Sequence, residues 1–235
     1  MMEAPHNQSC GGKSKDLATA VFDFDRTIIP VDLTKEFLKW RIANSVPRFI
    51  LMVLFSPLVV LLMLNQPTRI YGINLINIVA TCGYRKSIFH LRHQFMAYYF
   101  IRFSTPVYKD AIRRINKHKE SGVKVIILSA SPTWLLHGFI KRCNIRPDHV
   151  IGSHQQVRFN SLITKNFCYG KNKVEMAKGS GLDPSKWTYG YTDSPEDIPF
   201  LRYCINKTSI NTTSKRARQK FKHCFHENIN NEIWH

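Results

Sequence analysis

Two carboxylates separated by one residue stand in the segment at residues 22–27, which reads FDFDRT. They follow a short apolar run rich in β-forming residues, so we expect Asp23 and Asp25 at the C-terminal end of a buried strand. Once the chain leaves the pleat of the strand, both side chains can face one pocket. One can then act as a nucleophile or metal ligand while its neighbour transfers protons. A pair of ordinary surface acids is the plainer alternative, so the decision depends on other residues.

Further polar residues follow in an order that favours a shared pocket. Ser129 comes directly after the apolar run at residues 124–128, and Asp193 and Asp197 follow a third strand-like run. Strand-like runs that alternate with helical stretches predict a parallel α/β sheet, in which ligands bind where the strands end. The sequence therefore predicts that these side chains meet Asp23 at one edge of a sheet.

A long helical stretch, residues 33–120, separates the first two predicted strands. It contains an apolar segment at residues 49–64 in which Ser56 is the only polar residue. A helix of this length spans about 24 Å, less than the ~30 Å hydrocarbon core of a bilayer, and Pro57 favours a kink or break. A single crossing would also put the predicted strand ends on opposite sides of the membrane. We therefore expect a re-entrant or interfacial segment, with a buried core helix of the insert as the alternative.

Positive charge dominates the chain, since 34 Lys and Arg stand against 16 Asp and Glu for a formal net charge of +18. Residues 37–109 contain no acidic side chain, and a second basic run occupies residues 215–222. Such a surface attracts polyanions, and beside an apolar segment we expect an anionic membrane as the partner and no nucleic acid. A solvated basic face is equally consistent with the run at 215–222.

The six cysteines form no CxxC pair and no Cys/His cluster at zinc spacing, so free thiols in a reducing cytosol are expected. Residues 1–17 are polar and have no apolar core of the kind that a secretory signal needs, so a flexible N-terminus is expected there.

Taken in order, these motifs are similar to those of the haloacid dehalogenase superfamily, in its phosphoserine-phosphatase-like branch (subfamily IB). The similarity rests on residues 23–27 (DFDRT), Ser129 in ILSAS, the stretch 168–173 (CYGKNK) that ends at Lys173, and residues 193–197 (DSPED). It implies a Rossmann-like parallel sheet core with an inserted all-helical cap of the C1 type. The implied divisions are a core at 18–32 and 121–210, a cap at 33–120 and a basic tail at 211–235.

The resemblance also implies a two-step phosphoryl transfer. Asp23 would attack phosphorus and form an aspartyl-phosphate, while Asp25 would protonate the leaving group and then activate water. Mg²⁺ would be held by Asp23, by the backbone carbonyl of Asp25 and by Asp193.

Four other residues are given supporting roles by the same resemblance. Ser129, Lys173 and Thr27 would hold the phosphoryl group, with Thr27 also tying the motif loop together. Asp197 would orient Lys173 or a metal-bound water from behind the site.

Two residues near the motif are candidate substrate contacts. Arg26 stands where the family more commonly has Gly or Ser, and it lies beside both aspartates. Asp32 could reach a substrate head group, although a helix N-cap ahead of Leu33 is at least as consistent with its position. Ser131 and Lys171 are expected to lie outside the site.

The predicted activity is that of a phosphoric monoester hydrolase. Within the branch, the segment 49–64 and the stretch 189–197 are most similar to the membrane-associated phosphatidylglycerophosphate phosphatase C family of bacteria. A lipid phosphate such as phosphatidylglycerophosphate is therefore the expected substrate, at the cytoplasmic face of the inner membrane. One alternative is a cytoplasmic phosphatase of a soluble monoester such as phosphoserine or phosphoethanolamine. Another is a non-enzymatic basic protein that binds lipid or nucleic acid.

Overall fold

The structure is a computed structural model that describes residues 18–65, 67–83, 88–226 and 228–235. The flexible N-terminus predicted for residues 1–17 lies outside the described residues. A seven-stranded sheet forms the centre, in the order β4-β3-β2-β1-β5-β6-β7. Its strands are β1 (Thr19–Asp23), β2 (Lys124–Pro132), β3 (His149–Arg158), β4 (Ser161–Asn166), β5 (Trp187–Thr192), β6 (Asn206–Ile210) and β7 (Asn230–Glu232). The β3–β4 pair is antiparallel and all other pairs are parallel, which confirms the predicted fold class.

The helices cover both faces of this sheet. They are α1 (Leu33–Ala43), α2 (Val46–Leu64), α3 (Arg69–Thr81), α4 (Ile88–Arg102), α5 (Lys109–Glu120), α6 (Thr133–Arg142), α7 (Lys171–Gly179), α8 (Ile198–Leu201) and α9 (Lys215–Phe225). Because β1 is buried on both faces, Phe22 packs into one hydrophobic cluster with α5 and α6, and Val21 packs into another with α7, α8 and α9. This burial of alternate residues on opposite faces is typical of a central parallel strand.

The chain between β1 and β2 forms the helical insert. Helices α1 to α4 are its cap-like part, whereas α5, which the sequence assigns to the cap, packs against β2 and buries Ala111 and Ile115 in the sheet core. Helices α2 and α3 run side by side in opposite directions, since Arg48 donates to the Cys82 carbonyl at one end and Thr68 donates to the Leu62 carbonyl at the other.

Helix α2 differs from the prediction in two ways. It begins three residues before the apolar segment, at Val46, so it is 19 residues and about 28 Å long. It also continues through Pro57 without the predicted break. Pro57 has no N–H for the Val53 carbonyl, and the Ser56 hydroxyl donates to that carbonyl instead, at 2.8 Å.

The surface of α2 argues against a core helix. Val59 is its one buried residue. The large apolar side chains that it exposes to solvent lie along its whole length, namely Val46, Phe49, Ile50, Val53, Leu54, Leu58, Val60, Leu61, Met63 and Leu64. By length and composition this helix could cross a membrane. The buried-core alternative is therefore wrong for α2, because the packing against α1 and α3 covers only one stripe of it.

Residues 211–226 and 228–235 are folded, although a basic tail was expected for 211–235. Helix α9 buries Phe221 and Phe225 on the side facing the sheet, and Trp234 is 4% exposed. Strand β7 extends the sheet beyond β6. The basic side chains of α9 lie on its solvent side, because the apolar residues one turn apart determine which face is buried.

Candidate active site

The carboxyl ends of three neighbouring strands bring the motif residues together. Asp23 ends β1 and lies opposite Leu128 of β2, so Ser129 is one residue further along. Strand β5 pairs Tyr191 with Phe22, and Asp193 follows just past its end. A cavity of about 320 Å³ opens over these strand ends. Its lining includes Asp23, Asp25, Arg26, Asp32, Lys173, Asp193 and Asp197.

A buried lysine joins two of the carboxylates. Lys173, in the first turn of α7, is 2% exposed and places Nζ 2.6 Å from Asp23 Oδ1 and 2.7 Å from Asp197 Oδ1. Burial alone would lower the pKa of Lys173, but Asp197 and Asp23 outweigh it and raise that pKa. Burial raises the pKa of Asp23 well above its usual range, although the Lys173 charge opposes this. Lys173 therefore stays positively charged beside Asp23.

Asp197 is fixed from a second side as well. The Thr192 hydroxyl donates to Asp197 Oδ2 at 2.7 Å, and the Ser194 N–H donates to the same hydroxyl. Asp197 is thus a buried carboxylate at the cavity wall that orients Lys173.

Thr27 links the two halves of the site. Its hydroxyl donates to Asp23 Oδ2 at 3.3 Å and accepts the backbone N–H of Asp193 at 3.0 Å. Thr27 is fully buried, so its role in this geometry is to hold Asp23 and the Asp193 loop in register.

Asp25 is held by three donors and has a shifted pKa. The Leu33 N–H donates to Oδ1 at 2.7 Å, and the hydroxyls of Ser129 and Ser131 donate to Oδ2 at 2.9 and 2.8 Å. Burial, and next the negative charge of Asp32, raise the pKa of Asp25 to about 6. A carboxyl with that pKa can give up and take back a proton near neutral pH.

Ser131 was expected to lie outside the site, and that expectation is wrong. Its hydroxyl contacts Asp25 and lies 2.8 Å from the Thr34 hydroxyl of α1, so it connects the cap to the carboxyl group. The structure brings it inward because β2 continues as far as Pro132. Lys171 does not line the cavity and instead borders a neighbouring groove.

Asp23 and Asp193 fit a site for a hard divalent cation. Burial, and next the Asp197 charge, raise the pKa of Asp193 to about 7, as expected where buried carboxylates crowd together. No group of three His, Cys, Asp or Glu side chains suited to a metal occurs in the described part of the chain. A site here would therefore need a backbone oxygen such as the Asp25 carbonyl, together with waters, which suits Mg²⁺.

Arg26 and Asp32 both border the cavity. Arg26 has a φ of +59°, the left-handed region that glycine adopts freely, and its exposed guanidinium lowers the pKa of Asp193. Asp32 does cap α1, because its Oδ1 accepts the Lys35 N–H at 2.9 Å, and Oδ2 pairs with the Lys35 ammonium at 3.1 Å. It lines the cavity at the same time.

Several cavity residues were not found from the sequence. Arg69, the first residue of α3, places its guanidinium 4.9 Å from the ring centroid of Tyr169, which stacks on Phe167 at 5.3 Å. The Arg69 Nε is buried without a hydrogen-bond partner in the described part of the chain. Apolar cap residues complete this wall, namely Leu38, Met63, Ile73 and Ile76. No local pattern marks them, since only the docking of α3 beside the 167–169 loop brings them to the cavity.

Comparisons with known proteins agree with this architecture. Among solved structures, a protein of unknown function from Bordetella pertussis Tohama I is 16% identical with a TM-score of 0.67, over 91% of this chain and 98% of that one. A phosphoserine phosphohydrolase-like protein from Francisella tularensis subsp. tularensis SCHU S4 is 13% identical with a TM-score of 0.60, over 91% and 94%. A phosphoserine phosphatase solved as a phospho-aspartyl intermediate analogue is 13% identical with a TM-score of 0.53, over 87% and 90%.

At these identities the structural matches show a shared fold. A search of curated proteins found no match. The family model for haloacid dehalogenase-like hydrolases matches residues 20–202, which is most of the chain and contains all the motif residues named above. The chain therefore belongs to the haloacid dehalogenase-like hydrolase family.

Proposed function

We propose that this protein is a Mg²⁺-dependent phosphomonoesterase that works through an aspartyl-phosphate on Asp23. One observation carries the proposal. A buried carboxylate with a lysine 2.6 Å away shares a small cavity with a second carboxyl whose pKa is about 6. A nucleophile, a fixed positive charge and a proton donor are the groups that hydrolysis of a phosphate ester needs. The phospho-aspartyl analogue of the related phosphatase supports the same intermediate.

The residues divide the reaction into two displacements. In the first, an Asp23 oxygen attacks phosphorus while the alcohol oxygen leaves and takes the proton of Asp25. In the second, Asp25 accepts a proton from water as the water oxygen attacks phosphorus, which releases phosphate and frees Asp23. Lys173 offsets the negative charge near Asp23 in both steps. Asp23, Asp193 and the Asp25 carbonyl would hold Mg²⁺, which would supply the positive charge that lets a carboxylate approach a phosphate.

The proposed substrate is a lipid phosphate such as phosphatidylglycerophosphate, at the cytoplasmic face of the inner membrane. Met63, from the last turn of α2, lines the cavity, so the catalytic groups open next to the end of the exposed apolar helix. The acid-free stretch 37–109 surrounds that helix with cations only, which favours anionic lipid. With α2 in the interface, a lipid head group would enter the cavity while its acyl chains stay in the membrane.

A second candidate substrate is a small soluble monoester. Asp32 and Arg69 put a negative and a positive side chain in one cavity of about 320 Å³. Opposite charges beside a phosphate site suit a substrate with an amine and a carboxylate, such as phosphoserine. Phosphoethanolamine would use Asp32 alone.

Phosphate release from the purified protein tests both candidates. We would compare phosphatidylglycerophosphate in mixed micelles with phosphoserine, phosphoethanolamine and an aryl phosphate, each with and without Mg²⁺. Asp23→Asn should abolish turnover, because a neutral amide is a poor nucleophile and a poor metal ligand. The matched control is Asp183→Asn, the same change at an exposed residue just before the short helical turn Pro184–Lys186, which should leave turnover unchanged. Turnover by Asp23→Asn comparable with that of the wild type would refute the assignment, and binding without any turnover would favour a non-enzymatic role.

A further inference from the structure

The tip of the β3–β4 hairpin exposes an aromatic side chain to solvent. We define the hairpin tip as residues 157–160, where Arg158 pairs with Ser161 and two residues form the turn. Phe159 is 87% exposed and Val157 is 60% exposed. Large apolar side chains at the end of a projecting hairpin do not pack into the core, so they do not stabilise the fold.

The backbone of the tip is strained as well. Phe159 has a φ of +49° and Asn160 a φ of +54°, so both occupy the left-handed region required by a tight two-residue hairpin turn. Asn tolerates that region, whereas a bulky aromatic residue rarely adopts it. Strain of this kind persists where it has a use, so an exposed and strained Phe159 indicates a function for its side chain.

The hairpin tip lies near the C-terminal end of α3. The antiparallel helix α2 has its N-terminal end at the same place. Strand β4 is tied along α3, since Asn77 donates to Thr164 and the Leu162 N–H donates to the Thr81 hydroxyl. Cys82, the next residue after Thr81, accepts a hydrogen bond from Arg48 in the first turn of α2. Leu162 is three residues from Phe159, so the tip is within about 10 Å of the residue that contacts the last turn of α3.

Charge around the tip favours an anionic surface. Residues 149–174 contain no Asp or Glu, and the tip itself carries Arg158. The stretch 37–109, which supplies α2 and α3, contains no acid either. The acid-free stretches 37–109 and 149–174 therefore pack against each other. Each exposes apolar side chains near the C-terminal end of α3, one at the start of α2 and the other at the hairpin tip. Apolar residues flanked by cations alone suit the head-group layer of an anionic bilayer.

We propose that the hairpin tip inserts into the interfacial layer of an anionic bilayer and forms a second membrane contact beside the start of α2. This inference rests on the proposed membrane function. A second contact prevents rotation about the axis of α2, because one helix lying in an interface is free to roll. The tip thereby orients the cavity, at the opposite end of α2, with respect to the lipid surface.

Flotation with vesicles of phosphatidylcholine and phosphatidylglycerol tests the inference. Phe159→Asn removes the apolar side chain and places a residue that tolerates the left-handed region, so its melting temperature should equal or exceed that of the wild type. Its affinity for the vesicles should fall by about 10–100-fold, the worth of one buried aromatic side chain. The matched control is Ile205→Asn, the same change at a 73% exposed residue just before β6, which should bind vesicles as the wild type does. Phe159→Trp should retain binding, since an aromatic side chain suited to the interface replaces another.

The outcomes separate this inference from the proposed function. If Phe159→Asn floats like the wild type while polar changes on α2 abolish flotation, the second contact is wrong and the membrane function stands. If the wild type does not float at all, both are wrong. If Phe159→Asn instead converts a dimer into a monomer in solution, the tip binds a second copy of the chain and the inference is overturned.

Discussion

Replacing outward residues of α2 with Asn separates membrane binding from folding. Ile50, Leu54 and Leu61 are 59%, 69% and 61% exposed, so their side chains mainly contact solvent. Substituting them together should leave the protein folded in water, because most of each side chain already contacts solvent. The same change should prevent α2 from entering a lipid interface.

The size of the effect follows from the exposed area. Full burial of an aliphatic side chain is worth about 1.5–3 kcal/mol, and about 60% of each side chain is available to lipid. Each substitution should then cost roughly 1–2 kcal/mol of membrane affinity, and the three together roughly 3–5 kcal/mol. That corresponds to a loss of about 10²–10⁴-fold in partition.

The assay is flotation with anionic vesicles together with two activity measurements. Hydrolysis of the lipid phosphate should fall steeply in the triple variant, while hydrolysis of a soluble aryl phosphate should stay near the wild-type rate. The catalytic groups belong to the sheet core, which these substitutions do not contact. High salt should release the wild type only in part, because it screens the charges but leaves the apolar contact intact.

Val59→Ala is the matched control on the same helix. Val59 is 6% exposed, so this change should lower the free energy of unfolding by about 1–3 kcal/mol and leave vesicle binding unchanged. The reasoning is refuted if the outward triple variant still floats. It is also refuted if that variant loses both activities equally, since α2 would then be needed for the fold of the catalytic site.

Three other outcomes are expected. Asp25→Asn should lower turnover of an alkyl phosphate by ~10²–10⁴-fold but that of an aryl phosphate much less, because an aryl leaving group needs no proton; equal losses would contradict the acid role. Lys173→Met should leave Asp23 and Asp197 buried without a cation and cost about 3–5 kcal/mol of stability in urea unfolding at neutral pH. That loss should shrink in mild acid as Asp23, whose pKa burial raises, becomes protonated, and a pH-independent loss would argue against unpaired charge. Burial, and next nearby cations, lower the pKa of His118 to about 4, so the unfolded chain takes up a proton first and stability should fall as the pH drops from about 6.5 towards 4. In urea unfolding across that range, His118→Gln should lose less stability than the wild type, and an equal loss would exclude this residue as the cause.

Local sequence patterns were sufficient for the central strands. The apolar runs at β1, β2 and β5 are short and followed by polar residues, which is how buried parallel strands end at a ligand site. The β3–β4 hairpin was not predicted, because the second half of β3 reads SHQQVR and has little apolar alternation. It is held by side chains of α3, some ninety residues away, through contacts such as that of Asn74 with Thr164.

Some features of the site were likewise predictable from the sequence, and others were not. The order of Asp23, Lys173 and Asp193 along the chain, each beside a strand end or a helix start, predicted that they lie together, and all three line one cavity. Which hydroxyl contacts Asp25 was not predictable, since Ser131 reaches it only because β2 extends further than its apolar run.

The sequence by itself determined the parallel α/β core, the motif residues and the apolar segment, because strand periodicity and residue order belong to the chain and need no partner. Only the tertiary structure decided that α2 turns most of its apolar surface outward, that Arg69 and Tyr169 form a wall of the cavity, and that Phe159 stands exposed at a strained tip. Each of these depends on how α3 docks between α2 and β4. Docking is decided by contacts between residues that are far apart in sequence, and no local pattern encodes which distant surfaces will meet.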